Sequence, residues 1–360
     1  MQDDDRSDCK YVFVCGLPRS GTSVLGRNIA RLENSTGFKN TGVLEDEGKF
    51  LQDVYPSGYE DSGAGRFGFD PRNHRTETSD LFTAENVVKL RASWHSHWDK
   101  TKLICVEKTP ENLLMTRFLQ AVFPNSYFIV VRRHPVPVGM AGQRWKVNVT
   151  SLYRMFEHWL HCHELFEQDK KHLKHVYELK YEDYVEHPDR YHLEIAAFIG
   201  SRVPEPPKED TFRYVAQWRN PVGLRVPEGA MEDVSGAHNK KYLDRWANLL
   251  RNSFFKRYYR HIARKYEPRF AKYGYSLTTG LGLDEEVLRA EGSLSAALGA
   301  LCCLGADGYA LMWRLCVRSK AHIKKRIKAM LPEFVLTKIK QVRQRASLDR
   351  GRVGVDSPHG

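Results

Sequence analysis

The sequence predicts an α/β fold, a three-layer sandwich whose central parallel sheet carries helices on both faces. Short apolar runs rich in β-formers, YVFVC (11–15), LICV (103–106) and YFIVV (127–131), are each followed by a helix-like segment. A fourth and less apolar run, HVYELKY (175–181), precedes a helical stretch from Pro188 to Ile199. Strands that alternate with helices build βαβ units and hence a parallel sheet. In such sheets ligands sit at the carboxyl ends of the strands, and the informative motifs of this chain all fall there.

The first run reaches Gly16, where the loop GLPRSGTS (16–23) leads to a helix beginning near Thr22. Glycines let the backbone curl so that successive N–H groups point at one anion, and the helix adds its positive end. Ser20, Thr22 and Ser23 add hydroxyls, and Arg19 adds a positive charge. The spacing of Gly16 and Gly21 is that of a phosphate-binding loop, but the lysine such loops carry after the second glycine is absent. Next, TGVLEDEGKFLQDVY (41–55) supplies three neighbouring acids, Glu45, Asp46 and Glu47. A cluster of carboxylates can raise one pKa towards the working range, which suits a general base. Residues 56–80 are rich in Gly, Pro, Ser and Asp without a period, the composition of a long surface loop, a lid or a disordered segment. The run LICV leads into EKTPENL (107–113), which places Lys108 at a strand end. The run YFIVV ends in Arg132 and Arg133, where a triphosphate enzyme needs a carboxylate for magnesium. An amphipathic stretch from Lys240 to about Tyr266, with Leu243, Trp246, Leu249, Leu250 and Phe254 on one side, reads as a closing helix. The catalytic domain is expected over 10–278, followed by a basic helical extension, partly disordered, over 279–360.

Within that extension, residues 294–317 are apolar but interrupted by Asp307 and three glycines, which makes a poor bilayer span. A basic run with Ile323, Ile327 and Leu331 follows, the pattern of an amphipathic helix on an anionic membrane surface or of a solvated helix packed on the domain. The net charge of +12 over 360 residues favours acidic partners. The seven cysteines, Cys9, Cys15, Cys105, Cys162, Cys302, Cys303 and Cys316, are scattered and odd in number, which fits a reducing setting. With no apolar leader at the acidic N-terminus, a cytoplasmic location is expected, or the Golgi lumen if the chain is truncated. The sequons at Asn34 and Asn148 matter only in a secreted protein. His158, His161 and His163 share a helix, and His95 and His97 flank Ser96, but neither group has metal-site spacing.

Four of these motifs, taken together and in order, resemble the sulfotransferases that use 3′-phosphoadenosine 5′-phosphosulfate (PAPS). GLPRSGTS is similar to their 5′-phosphosulfate loop. FIVVRRHPVPVGMAG (128–142) resembles their 3′-phosphate site, EKTPENL their lysine-bearing strand end, and LKYEDYVEHPDRYHLEIAAFIG (179–200) their Tyr-Glu-Asp strand and helix. With YGYSL (273–277) the likeness covers roughly residues 10–278, and it is strongest to the broad group of bacteria and microbial eukaryotes. The resemblance implies a P-loop-like sulfotransferase fold and sulfuryl transfer to an acceptor hydroxyl, with PAP as product and no metal. It places Pro18, Arg19, Ser20, Gly21, Thr22, Ser23, Arg133 and Tyr181 around the nucleotide, and Arg19 and Lys108 on the bridging oxygen. The family's serine eight positions after the arginine is Ala141 here, leaving backbone, Gln143 or Arg144 for phosphate contact. Its late basic segment is not visible, with Lys240 and Lys241 as substitutes. Pro110 stands where phenol-type relatives carry a histidine base. Glycan- and tyrosine-directed relatives use a glutamate after the first helix, which implies Glu47, then Glu45, and a carbohydrate or other polar acceptor. No nucleic-acid partner is expected. A P-loop kinase or triphosphatase, and a PAP-binding module without turnover, are the alternatives.

Overall fold

The computed structural model describes residues 8–58, 62–63, 65–143, 150–204, 237–279, 281 and 293–330. Strand β1 (Lys10–Gly16) is buried from Tyr11 onward, as a strand covered on both faces must be. It pairs in parallel with β3 (Ile104–Lys108) on one side and β4 (Ser126–Arg132) on the other. Strand β5 (Val176–Lys180) extends the sheet beyond β4, and β2 (Ser35–Gly37) extends it beyond β3, giving the order β2-β3-β1-β4-β5. The sequence does not reveal β2, because three small or polar residues carry no alternating pattern. Its Ser35 and Thr36 belong to the first sequon, whose Asn34 carboxamide oxygen accepts the Leu103 N–H at 3.0 Å. Asn148 and Val149 of the second sequon lie outside the described residues.

Alternation along β1 separates two cores. Val12 and Val14 pack with Leu25 and Ile29 of α1 (Thr22–Ile29) and with Ile195 and Ile199 of α7 (Pro188–Ile199). Tyr11, Phe13 and Cys15 face the other layer. There lie α2 (Ala84–His95), α3 (Thr116–Val122), α4 (Pro135–Gln143), the long α5 (Leu152–Asp169), α8 (Ala237–Asn252) and α9 (Lys256–Ala271). A short helix α6 (Tyr181–Glu186) caps β5. The α/β sandwich with a five-stranded parallel sheet is therefore the observed architecture.

Three expectations need correction. The stretch from Lys240 to Tyr266 is two helices, α8 and α9, because Ser253 turns the chain between them, its carbonyl accepting the Lys256 N–H and its hydroxyl the Phe255 N–H. Phe254 consequently sits 94% exposed instead of joining Trp246 and Leu250 in the core. The described part of 56–80 is not a free surface loop: Phe67, Asn73 and Arg75 are buried, and the Gly68 N–H donates to His158 Nε2 at 3.0 Å. Finally, the glycines and Asp307 do not break the apolar run 294–317. One continuous helix, α10 (Ser293–Met330), contains it, and Ala296–Cys316 is long and apolar enough to cross a bilayer by length and composition, with mean hydropathy 1.3.

By internal contacts the chain divides into Met1–Asp307 and Gly308–Gly360. Cys9, Cys15, Cys105 and Cys162 are buried free thiols, and Cys302 and Cys316 are exposed ones. Residues 331–360, the polar tail included, lie outside the described residues.

Candidate active site

The site is built at the carboxyl ends of β1, β3 and β4. After Gly16 the chain tightens into a turn, the Ser20 N–H donating to the Leu17 carbonyl at 3.0 Å, with Arg19 in the left-handed region at φ 75°. Gly21 follows at φ 92° and begins α1, whose first turn has neither a side-chain cap nor an acid. A Cβ on Gly21 would stand 2.3 Å from the Tyr181 ring, so only glycine permits the loop to close on that aromatic face. The Ser20 hydroxyl is fully buried and has no partner among the described residues. A buried donor with open N–H groups beside it is the arrangement that an anion satisfies.

Arg132 and Arg133 diverge. Arg132 is ion-paired with Glu167 and Glu178, so it locks the sheet to α5. Arg133 turns to the loop: its Nη1 donates to the Arg19 carbonyl at 2.7 Å, and its guanidinium lies 4.2 Å from the centre of the Tyr181 ring. Burial lowers the Arg133 pKa, partly offset by Tyr181 and Glu182. Trp159 Nε1 holds the Arg133 carbonyl at 3.0 Å, which fixes the backbone there. Arg19, Gly21, Arg133 and Tyr181 thus stand together.

The rest of the expected phosphate contact does not converge. Ala141 is buried within the apolar core on α4, and Gln143 donates to the Thr150 carbonyl at 2.8 Å. Lys240 and Lys241 are exposed on α8, and Arg144 lies outside the described residues.

On the other flank, Lys108 at the end of β3 reaches the acidic segment. Its Nζ is 3.0 Å from Glu47 Oε1 and 3.6 Å from Glu45 Oε2. Gly26 of α1 allows this approach, since a Cβ there would meet Lys108 Cβ at 2.8 Å. The three neighbouring acids have separate tasks. Asp46 accepts both the Thr41 N–H and hydroxyl, at 2.8 and 2.6 Å, and closes its own turn. Glu45 accepts the Ser23 hydroxyl at 2.6 Å, so Ser23 is committed to this carboxylate. Burial pushes the Glu45 pKa up, but Lys108, Ser23, Arg19 and Arg27 outweigh it and hold the group below its ordinary value. At Glu45 the neighbouring cations thus outweigh both burial and the crowding of the acids.

Sequence reasoning missed Lys49, Glu111 and Glu107. Lys49 is buried and bridges Glu47 Oε2 at 3.1 Å and Glu111 Oε1 at 2.5 Å. Burial alone would lower its ammonium pKa, but Glu47 and Glu111 raise it above the ordinary value. Glu107 lies wholly buried at the sheet end, accepting the Gly48 N–H at 2.9 Å, the Thr109 hydroxyl at 2.5 Å and the Asn112 amide. Desolvation pushes its carboxyl up to about 7 against those donors and Lys108. A lysine two residues beyond Glu47 was visible in the sequence; that it turns inward was not. Trp94 Nε1 also holds the Gly48 carbonyl at 2.9 Å, so the segment is gripped from both sides.

Of the histidines singled out in the sequence, His95, His158 and His163 are buried, His161 is half-buried and His97 is exposed. His158 is buried, pushed down to about 3 by desolvation and then by His161, and accepts the Gly68 N–H as a neutral ring. His95 pairs with the Tyr11 hydroxyl at 3.0 Å. Among the described residues no group of three metal-ligating side chains gathers.

A family model described as "Sulfotransferase family" matches residues 12–205. No curated protein sequence matches the chain. Among solved structures, the sulfotransferase domain of a Synechococcus olefin synthase aligns at 14% identity and TM-score 0.42, covering 67% of this chain and 90% of its own. A Mycobacterium tuberculosis sulfotransferase aligns at 16% identity and TM-score 0.36 over 58% of this chain and 73% of its own. One from Alicyclobacillus acidocaldarius aligns at 13% and 0.31 over 52% and 80%.

Proposed function

The chain belongs to the sulfotransferase family, and from that premise we propose that it transfers a sulfuryl group from PAPS to the hydroxyl of a polar acceptor, foremost a carbohydrate. One observation carries the reading: Lys108 and Glu47 stand 3.0 Å apart beside a loop whose buried Ser20 hydroxyl has no partner among the described residues. A charge stabiliser, a base and an anion cradle therefore share one place.

PAPS, when bound, supplies a sulfuryl group on a phosphate whose oxygen becomes anionic as it leaves. The Ser20 hydroxyl and the open N–H groups at the start of α1 suit the 5′ end of that nucleotide, and Pro18 to Ser23 form its cradle. Arg133 presents a planar fork to a terminal phosphate, backed by Tyr181. Arg19 and Lys108 place fixed positive charge where negative charge develops, which is worth most in a site sheltered from water. Sulfuryl groups carry less charge than phosphoryl groups, so side-chain cations suffice for an in-line displacement without a metal. Glu47 receives the acceptor proton. Glu45, held low and bonded to Ser23, fixes the segment to α1. The absence of a histidine at Pro110 and the acidic segment support a polar acceptor over a phenol.

Thermal-shift measurements with PAP, ATP, and ATP plus magnesium, followed by labelled-sulfate transfer to glycans and phenols in EDTA, test the reading. PAP should stabilise the protein and transfer should survive EDTA. Stabilisation by ATP with magnesium but not by PAP would assign a nucleotide kinase or triphosphatase, and PAP binding with no acceptor ever sulfated would assign a nucleotide-binding module.

A further inference from the structure

We propose that α10 lies in the plane of an anionic membrane surface and holds the protein there, a role independent of the transfer reaction. At 38 residues the helix is about 57 Å long, at 1.5 Å per residue. Leu298, Leu301, Leu304, Leu311, Met312 and Leu315 each stand three, four or seven residues from another of the set, so they share one broad face. All are exposed, Leu301 and Leu304 by 61% and 66%. Of the window Ala296–Cys316, only 11% is buried. A contiguous apolar strip of that size on a soluble surface marks an interaction site.

The other side of the helix is engaged. Cys303 and Ala306 pack on the main core, and Asp307 accepts the Ser151 hydroxyl at 2.7 Å, the Tyr153 hydroxyl and the Arg154 guanidinium at 3.1 Å. These bonds decide between lying on a bilayer and crossing it. Crossing would strip Asp307 of all three donors and place a carboxylate near mid-membrane, among the least favourable sites for any group. Lying flat leaves Asp307 on the domain and buries only the leucine strip.

Charge selects the surface. From Gly308 to Pro332 the sequence has seven lysines and arginines, Arg314, Arg318, Lys320, Lys324, Lys325, Arg326 and Lys328, and no acid. An apolar strip continued by such a run matches anionic lipid headgroups. A second copy of the same helix packed in parallel would instead set two basic runs against each other, and one packed antiparallel would leave both runs without an acidic partner.

Flotation of the full chain with phosphatidylcholine vesicles, with and without phosphatidylserine, tests this. Binding is expected only with phosphatidylserine and should be lost at high salt. Leu301→Glu with Leu304→Glu should abolish flotation while thermal unfolding and PAP stabilisation stay as in the wild type. Lys324→Gln with Lys325→Gln should weaken flotation by on the order of tenfold to thirtyfold. Equal binding to neutral vesicles, retention through alkaline carbonate extraction, or insensitivity to the leucine changes would each overturn the proposal. So would a dimer in solution that the leucine changes dissolve while no vesicle is bound.

Discussion

Replacing Glu107 by glutamine removes a buried charge while keeping its shape. The wholly buried carboxyl is pushed up to about 7 from an ordinary 4.5. Desolvation is the main cause; the Thr109 hydroxyl, the Gly48 N–H and Lys108 resist it, and Glu47 adds to it. Between those two values the folded chain holds a proton that the unfolded chain has released. This stabilising contribution is fully present below pH 4.5 and is lost as pH rises through about 7. At about 1.36 kcal/mol per pH unit, the loss is on the order of 3 kcal/mol. The Glu107→Gln side chain would keep an acceptor for the Gly48 N–H, and once the Asn112 carboxamide, which donates to Glu107 in the wild type, turns over, the new amide can donate to Asn112 Oδ1, an atom buried without a partner among the described residues. Urea unfolding of both proteins at a series of pH values between 4.5 and 8 reads the difference directly. The wild type's stability relative to the variant should fall by on the order of 3 kcal/mol across that range and level off above it. A difference that stays constant, or that grows with pH, would refute the reasoning and show that the surrounding donors keep Glu107 ionised in spite of burial.

Four further outcomes follow from the site. Lys108→Ala should lower sulfate transfer by roughly two to three orders of magnitude with PAP binding retained; unchanged turnover would remove it from the chemistry. Glu47→Gln should also leave PAP binding intact and cost about two to four orders of magnitude in kcat, and full activity would place the base elsewhere. Gly21→Ala meets both a φ of 92° and the Tyr181 ring, so unfolding experiments should show a loss of about 2 kcal/mol or more. Adding Tyr181→Ala should restore only the steric part. Arg133→Lys should weaken PAP binding about tenfold or more in calorimetry, because an ammonium cannot reproduce the planar fork; equal affinity would move the phosphate site.

The parallel sheet and the loop were legible because their signals are local: continuous apolar runs, a glycine spacing, an arginine pair at a strand end. What stayed hidden depends on the third dimension. Nothing in the sequence around Lys49 says that a lysine will be buried, since its burial requires Glu47 and Glu111, which come from separate segments. The break between α8 and α9 falls at Ser253, where periodicity continues across the turn and only backbone hydrogen bonds mark the interruption. Asp307 reads in sequence only as an interruption of an apolar run; that its carboxylate is satisfied by Ser151, Tyr153 and Arg154, some 150 residues earlier, is visible only in the fold. Ala141 reads as a damaged ligand contact by resemblance; in the fold its side chain belongs to the apolar core.

The divergence of Arg132 and Arg133 has a genetic consequence. Strand β4 is held against β1 with Val131 opposite Gly16, and this alignment alone determines which guanidinium meets Glu167 and Glu178 and which meets the loop. Deleting one codon within 126–131 would bring Arg133 to the place of Arg132 and His134 to the place of Arg133, and inserting one would bring Arg132 to the place of Arg133 and Val131 to the place of Arg132, so either the loop or the Glu167–Glu178 pair loses its guanidinium although both arginines remain in the translated product. For a deep mutational library, point changes at 132 should therefore score as folding defects and those at 133 as ligand defects, with single-codon insertions upstream scoring as the former and deletions as the latter.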